Sequence, residues 1–278
     1  MADDSSVSSV SSLDYDSSSS DDEEERFSLR TPSLTMIYGK SMCGKTTFVM
    51  DLLAGEYFNP LPVQFYMLIP KPATEVVSDN KIKEFVTIVN DVYSPYNKPN
   101  GKIVVVQDEN GSGIAEICEK IQGENKDIPK LLFIDDLLSD KMLKGLFKIS
   151  NEVMHHSNAC VLITSQMSYL KDAKPLRENC NYIVLFPGLP DLTRFFSGYH
   201  TDVVKTISSM LSQQRDEEFD TDGLECPKPI IIDKEPNRKY DVIRIWRDVT
   251  DISPTELNLR KFSQTTDSSV RKFVVGGR

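Results

Sequence analysis

Residues 36–53 read MIYGKSMCGKTTFVMDLL, and inside them Gly39, Gly44, Lys45 and Thr46 complete the pattern G-x-x-x-x-G-K-[ST]. A nucleoside triphosphate needs several backbone N–H groups converging on its phosphates. A loop whose glycines accept unusual φ/ψ and close approach supplies them. In such a loop Lys45 reaches the β- and γ-phosphates and the Thr46 hydroxyl ligates Mg²⁺. The flanks agree. Residues 34–38 are a short apolar run of the kind that forms a buried parallel strand. Beyond Gly44 the pairs Phe48/Leu52 and Val49/Leu53 stand four apart, as one packed face of a helix requires. Strand, glycine loop and helix follow one another, with phosphates expected at a helix N-terminus where the dipole favours anions. At ordinary residue frequencies the pattern arises by chance in roughly one chain in a hundred of this length. The loop residues expected to hold ATP are Gly39, Lys40, Ser41, Met42, Cys43, Gly44, Lys45, Thr46 and Thr47.

Working outward, residues 130–136 (KLLFIDD) run from four apolar residues into two acids, which is how a buried strand delivers carboxylates to its C-terminal end. Asp135 is assigned to Mg²⁺, together with Thr46, and Asp136 to orienting or deprotonating the attacking water. Further strands are expected at 63–70, 103–106, 159–164, 182–186, 229–233 and 240–246. Helices are expected at 81–92, 114–121, 138–156 and 203–211. In the third of these Leu138, Met142, Leu146, Ile149 and Val153 recur at helical spacing. Residues 213–225 read as a polar, acidic loop, and the last thirty residues show no periodicity. Gln166, at the end of the 159–164 strand, either touches the γ-phosphate and its water or caps the following turn. His155 and His156 are neighbours pointing about 100° apart on a helix, which suits a helix-end polar pair better than a metal site. The alternation of strands and helices implies an α/β fold: a three-layer P-loop NTPase fold with a mostly parallel central sheet and active residues at its C-terminal edge.

The 278 residues carry 42 acids and 32 bases, a net charge of −10. Residues 1–30 hold nine of those acids and two arginines, so the remaining 248 residues carry 33 acids and 30 bases. The acidity belongs to a Ser- and Asp-rich tail that is too poor in apolar side chains to order itself. Within it, Ser17–Ser20 precede Asp21–Glu25, an arrangement suited to an acid-directed kinase or to simple solvation. The domain reading is therefore a disordered tail at 1–30, an ATPase domain at 31–250 and a C-terminal extension at 251–278. No apolar run approaches a membrane span. Five scattered cysteines with no C-x-x-C pair point to a reducing intracellular compartment rather than to a disulfide framework.

Taken in order, GKSMCGKTT, LLFIDDLLSD, HHSNACVLITSQMSYL and NYIVLFPGLPD resemble the poxvirus-type genome-packaging ATPases of large eukaryotic DNA viruses and virus-like transposons, in the FtsK–HerA branch of P-loop motors. KPIIID and YDVIRIWRD look like that family's closing strand pair. The resemblance covers roughly residues 34–248. It implies a homo-oligomeric ring that grips double-stranded DNA, hydrolyses ATP with Mg²⁺ and drives the DNA into a capsid, with capsid proteins as further partners and no membrane partner. It also implies that Asp135 and Asp136 form the Walker B pair and that Gln166 is the sensor. The family often carries an arginine after the two histidines, where this chain has Ser157. Arg177, or failing it Arg194, is then expected as the arginine finger acting on a neighbour's γ-phosphate. Two other readings stand beside packaging: a helicase-like replication motor, and a nucleotide-dependent switch or scaffold with little turnover.

Overall fold

The computed structural model describes residues 26–70, 75–94, 101–108, 112–136, 145–147, 149, 153–166, 174–189, 192, 196, 201–219, 228–234, 242–247, 249–250 and 254–258. In chain order the elements are β1 (Leu29–Arg30), β2 (Ser33–Tyr38), α1 (Lys45–Ala54), β3 (Phe58–Asn59), β4 (Gln64–Pro70), α2 (Glu75–Tyr93), β5 (Lys102–Asp108), α3 (Gly113–Gln122) and β6 (Lys130–Ile134). They continue with α4 (Met154–His156), β7 (Ala159–Ser165), α5 (Lys174–Asn179), β8 (Tyr182–Leu185), α6 (Thr201–Phe219), β9 (Ile230–Asp233), β10 (Val242–Trp246) and β11 (Thr255–Asn258).

Every residue of β2, β6 and β7 is buried, which is what their near-continuous apolar sequences require of strands covered on both faces. These strands lie inside a nine-stranded sheet of order β11-β10-β9-β8-β2-β7-β6-β4-β5. The pairings from β5 across to β8 are all parallel. β9, β10 and β11 then extend the sheet antiparallel. Alternate side chains divide between two cores. Leu34, Met36, Leu132, Ile134, Val161 and Ile163 face one cluster, which α3, α4 and α6 cover through Ile114, Ile117, Met154, Val203 and Ile207. Ile37, Leu131, Phe133, Cys160 and Leu162 face the other, covered by Phe48, Val49 and Leu53 of α1 and Phe85, Val89 and Tyr93 of α2. The result is the expected three-layer α/β fold with a largely parallel sheet.

Register decides what meets at the sheet's edge. Tyr38 lies opposite Ser165, and Ile134 opposite Ile163. The residues just after β2 and β6 and at the end of β7 therefore come out level, at the C-terminal edge. At the opposite end of β6, Lys130 is fully buried and its Nζ donates to the carbonyls of Asn125 (2.6 Å), Ile128 (2.8 Å) and Ser157 (3.0 Å). Burial pushes its pKa below the usual lysine range. All three donors of this cation are used on backbone oxygens, so it ties the loops beneath the sheet together.

Several expectations need correction. The packed structure begins before residue 31: Phe27 and Leu29 are buried, and the Phe27 ring meets Tyr182 and Trp246 edge-on. The segment expected as a loop from 213 is helical as far as Phe219, because α6 continues through QQRDEEF. Near the C-terminus, β11 pairs with β10 in a region without visible periodicity. Of the stripe expected at 138–156, Leu146, Ile149 and Val153 are buried together, while Leu138 and Met142 lie outside the described residues. Also outside them are residues 1–25, Arg194, Cys226 and 259–278. Among the described residues, Cys43, Cys118, Cys160 and Cys180 are buried and form no disulfide, and burial pushes the Cys160 thiol up to about 12.

Candidate functional site

The glycine loop leaves β2 between two neighbouring strands, with Gly39 N–H donating to Ser165 O at 3.3 Å and Phe186 N–H donating to Tyr38 O at 2.9 Å. A Cβ on Gly39 would stand 2.3 Å from Cys43 Sγ and 2.9 Å from Phe186 Cβ, so no other residue fits there without movement. Gly44 turns the loop into α1 at φ 91°, in the left-handed region that glycine enters without penalty. Met42 is also left-handed, at φ 60°, and its side chain is 98% exposed. Lys40, Ser41 and Thr47 are exposed as well, whereas Cys43 packs inward. Lys45 is buried and donates to the carbonyls of Gly39 (3.0 Å) and Lys40 (2.6 Å), folding the loop around its own ammonium.

The predicted acids lie beside this loop. Asp135, 2% exposed, is the hub. Its Oδ1 accepts from Thr46 Oγ1 at 3.0 Å and from Thr164 Oγ1 at 2.9 Å, and its Oδ2 faces Lys81 Nζ at 2.6 Å. Thr164 Oγ1 in turn accepts from the Asp136 N–H at 2.7 Å, so one buried hydroxyl links the two acids. Asp136 adopts φ 53°, uncommon for a residue with a Cβ and of the kind that gathers at functional sites. Gln166 Nε2 donates to Asp136 Oδ2 at 2.7 Å. The other oxygen, Asp136 Oδ1, is buried without a hydrogen-bond partner among the described residues.

Lys45, Thr46, Asp135, Asp136 and Gln166 are thus gathered at one edge of the sheet. Thr46 and Asp135 offer a hydroxyl and a carboxylate, the hard oxygen donors that suit Mg²⁺, and Asp136 Oδ1 leaves an acceptor for a water. The donor set fits a small divalent cation. Among the described residues no group of three or more His, Cys, Asp or Glu gathers in a way that could by itself hold a metal.

Two residues were missed. Thr164 lies near the end of an apolar strand, on the α1/α2 face, where a polar side chain among buried neighbours is itself a clue. Lys81 stands one helical turn before Phe85, which with Val89 and Tyr93 marks the buried face of α2. A lysine on that face, rather than an apolar residue, was the available signal.

Arg177 is placed differently. It lies on α5, 7% exposed, beside the buried phenol of Tyr38, whose side chain packs on the opposite face of the sheet from α1 and α2. Burial raises the Tyr38 pKa above its usual range, and the nearby Arg177 cation opposes that rise. The guanidinium is thus largely enclosed within its own chain. Arg177→Ala is therefore predicted to lower stability by about 1–3 kcal/mol, as loss of a buried charge-assisted hydrogen bond does, while nucleotide affinity stays within twofold or so. Denaturant midpoints measured beside nucleotide titrations check this. Wild-type stability with abolished turnover would return Arg177 to the reaction.

No family model and no curated protein sequence matches the chain. Among solved structures it is similar to the DNA-packaging ATPase of Sulfolobus turreted icosahedral virus, at 14% identity and TM-score 0.48, covering 79% of this chain and 99% of that one. It is also similar to the genome-packaging NTPase of Sulfolobus turreted icosahedral virus 2 in complex with AMP, at 12% identity and TM-score 0.43, covering 81% and 96%. A KaiC-like protein from Pyrococcus horikoshii OT3 aligns at 13% identity and TM-score 0.38, covering 56% and 73%. With likenesses this distant, what the chain does must be read from its own residues. No helix among the described residues is long and apolar enough to cross a membrane.

Proposed function

We propose that this chain is an ATP-hydrolysing motor that moves double-stranded DNA, as a homo-oligomeric ring, into a viral capsid. The observation that carries the ATPase part is the connected set Thr46–Asp135–Thr164–Asp136–Gln166 beside a loop whose two glycines are sterically required. The DNA and capsid parts rest on the resemblance of the chain's four motif segments to poxvirus-type packaging ATPases.

In this reading the backbone N–H groups of the 39–47 loop and the N-terminus of α1 bind the ATP phosphates. Lys45 leaves the loop carbonyls for the β- and γ-phosphates. Thr46 and Asp135 would hold Mg²⁺, which when bound supplies positive charge to the phosphate oxygens. Asp136 orients the attacking water and accepts its proton, while Gln166 holds the carboxylate in place through Oδ2. Because Gln166 directly follows β7 and is exposed, a change at the γ-phosphate passes through Asp136 to the sheet's surface.

Steady-state ATPase rate with and without duplex DNA, read beside the oligomer's mass, tests the proposal. Hydrolysis that rises with duplex and exceeds the rate with single strands is expected, from a particle of several subunits. Strand displacement would move the reading to a helicase-like motor. Tight nucleotide binding without turnover, with or without DNA, would make the chain a switch.

A further inference from the structure

Lys81 has no part in the reading above, yet its ammonium stands 2.6 Å from the most buried acid of the site. The two side chains differ sharply in exposure, 32% for Lys81 and 2% for Asp135, so the lysine reaches down to the acid from the rim. α2 fixes where the stem starts: one turn further on, Phe85 is fully buried against Phe133 of β6, the strand that ends at Asp135. The acid's other oxygen is already engaged by Thr46 and Thr164. Oδ2 is therefore where a cation meets this carboxylate, and Lys81 is there. Thr46, the second oxygen proposed for Mg²⁺, is committed to the same carboxylate. A buried carboxylate left without a counter-charge is strongly destabilising, so the lysine has a clear electrostatic reason to remain until another cation replaces it.

We propose that Lys81 competes with Mg²⁺ for Asp135: it neutralises the acid in the metal-free protein, yields it when Mg²⁺ enters with nucleotide, and so sets the Mg²⁺ concentration that nucleotide binding requires. The inference rests on the nucleotide-site reading and adds a regulating residue to it. Lys81 is a positioning and competing group, since it touches Asp135 and not the reacting atoms. The ammonium is able to leave, because the stem is partly exposed and a lysine head is a flexible point charge on four methylenes.

The test uses the full chain, a fluorescent ATPγS analogue and a Mg²⁺ titration followed by anisotropy, so that turnover plays no part. Lys81→Met keeps the stem and removes the charge. Lys81→Gln keeps an N–H donor for Oδ2 and protects the fold should the first variant be unstable. In both, the Mg²⁺ midpoint for nucleotide binding should fall about tenfold, the scale expected when a partly buried ion pair no longer has to be broken. The metal-free Tm should fall by about 4 °C, and the gap from wild type should close at saturating Mg²⁺ and ATPγS. An unchanged midpoint, with a Tm gap that persists under saturation, would make the pair a fixed strut and overturn the proposal. A raised midpoint would overturn it too, by making Lys81 a phosphate ligand. Wild-type protein that binds no nucleotide at any Mg²⁺ concentration would remove the site reading and this inference together. Mg²⁺-dependent binding by wild type with unshifted variants would remove this inference alone.

Discussion

Lys45→Ala is expected to reduce ATP turnover by about 10²–10³-fold, the range seen when one preorganised donor to a developing transition-state charge is removed. The structure adds a reason for the affinity to fall as well. Lys45 is buried and its ammonium draws the carbonyls of Gly39 and Lys40 together, so the alanine variant loses both the phosphate ligand and the group that closes the loop. Lys45→Met separates the two effects in part: the aliphatic stem still fills the space, but neither the carbonyls nor the phosphates find a donor. Binding of an ATPγS analogue and single-turnover hydrolysis, measured on both variants, distinguish loop collapse from lost charge. Wild-type-like hydrolysis by either would overturn the placement of ATP on this loop.

The parts of the fold that could be read beforehand are those dictated locally. β2, β6 and β7 are short apolar runs bounded by polar residues, and covered parallel strands cannot look otherwise. The G-x-x-x-x-G-K-T pattern carries its own geometry, because the clash at Gly39 and the positive φ at Gly44 leave little freedom in residue type. What escaped depends on partners distant in sequence. QQRDEEF has no apolar periodicity, but its Gln, Arg and Glu are good helix formers and α6 runs through it: its preceding turns are anchored by Val203, Val204, Ile207 and Leu211, and helix propagation costs little once the nucleus is held. β11 is four residues on the sheet's edge, with Leu257 packed against the core, too little for a periodic pattern. Lys81 and Asp135 are 54 positions apart, and only the packing of α2 over β6 brings them together. Arg177 was placed by its proximity in sequence to the sensor strand, but sequence proximity does not say which face of the sheet a side chain takes.

The two neighbouring acids should part company when each is replaced by asparagine. Asp136→Asn keeps the side chain's size and can keep its contact with Gln166. The amide oxygen takes the Oδ2 place and accepts from Nε2, leaving the new NH₂ where Oδ1 is now buried without a partner. What disappears is the capacity to take a proton from water, so ATP affinity should hold while turnover falls about 10²–10⁴-fold, the usual contribution of a positioned general base. Asp135→Asn strikes elsewhere. Its oxygens serve Thr46, Thr164 and Lys81 at once, and a neutral amide cannot match the Lys81 charge or accept at both ends. That variant should lose Mg²⁺-dependent nucleotide binding first, and turnover only as a consequence. It should also lose stability by about 3–5 kcal/mol at most, the cost of breaking a fully buried pair, with a smaller loss because Lys81 is partly exposed and can turn its ammonium to water. Nucleotide titrations in Mg²⁺ and in EDTA, set beside single-turnover rates, read both variants on one scale. If Asp136→Asn weakens binding and Asp135→Asn spares it, the roles of the two carboxylates are exchanged. The Thr164 hydroxyl between them would then be holding the base in place, not the metal ligand.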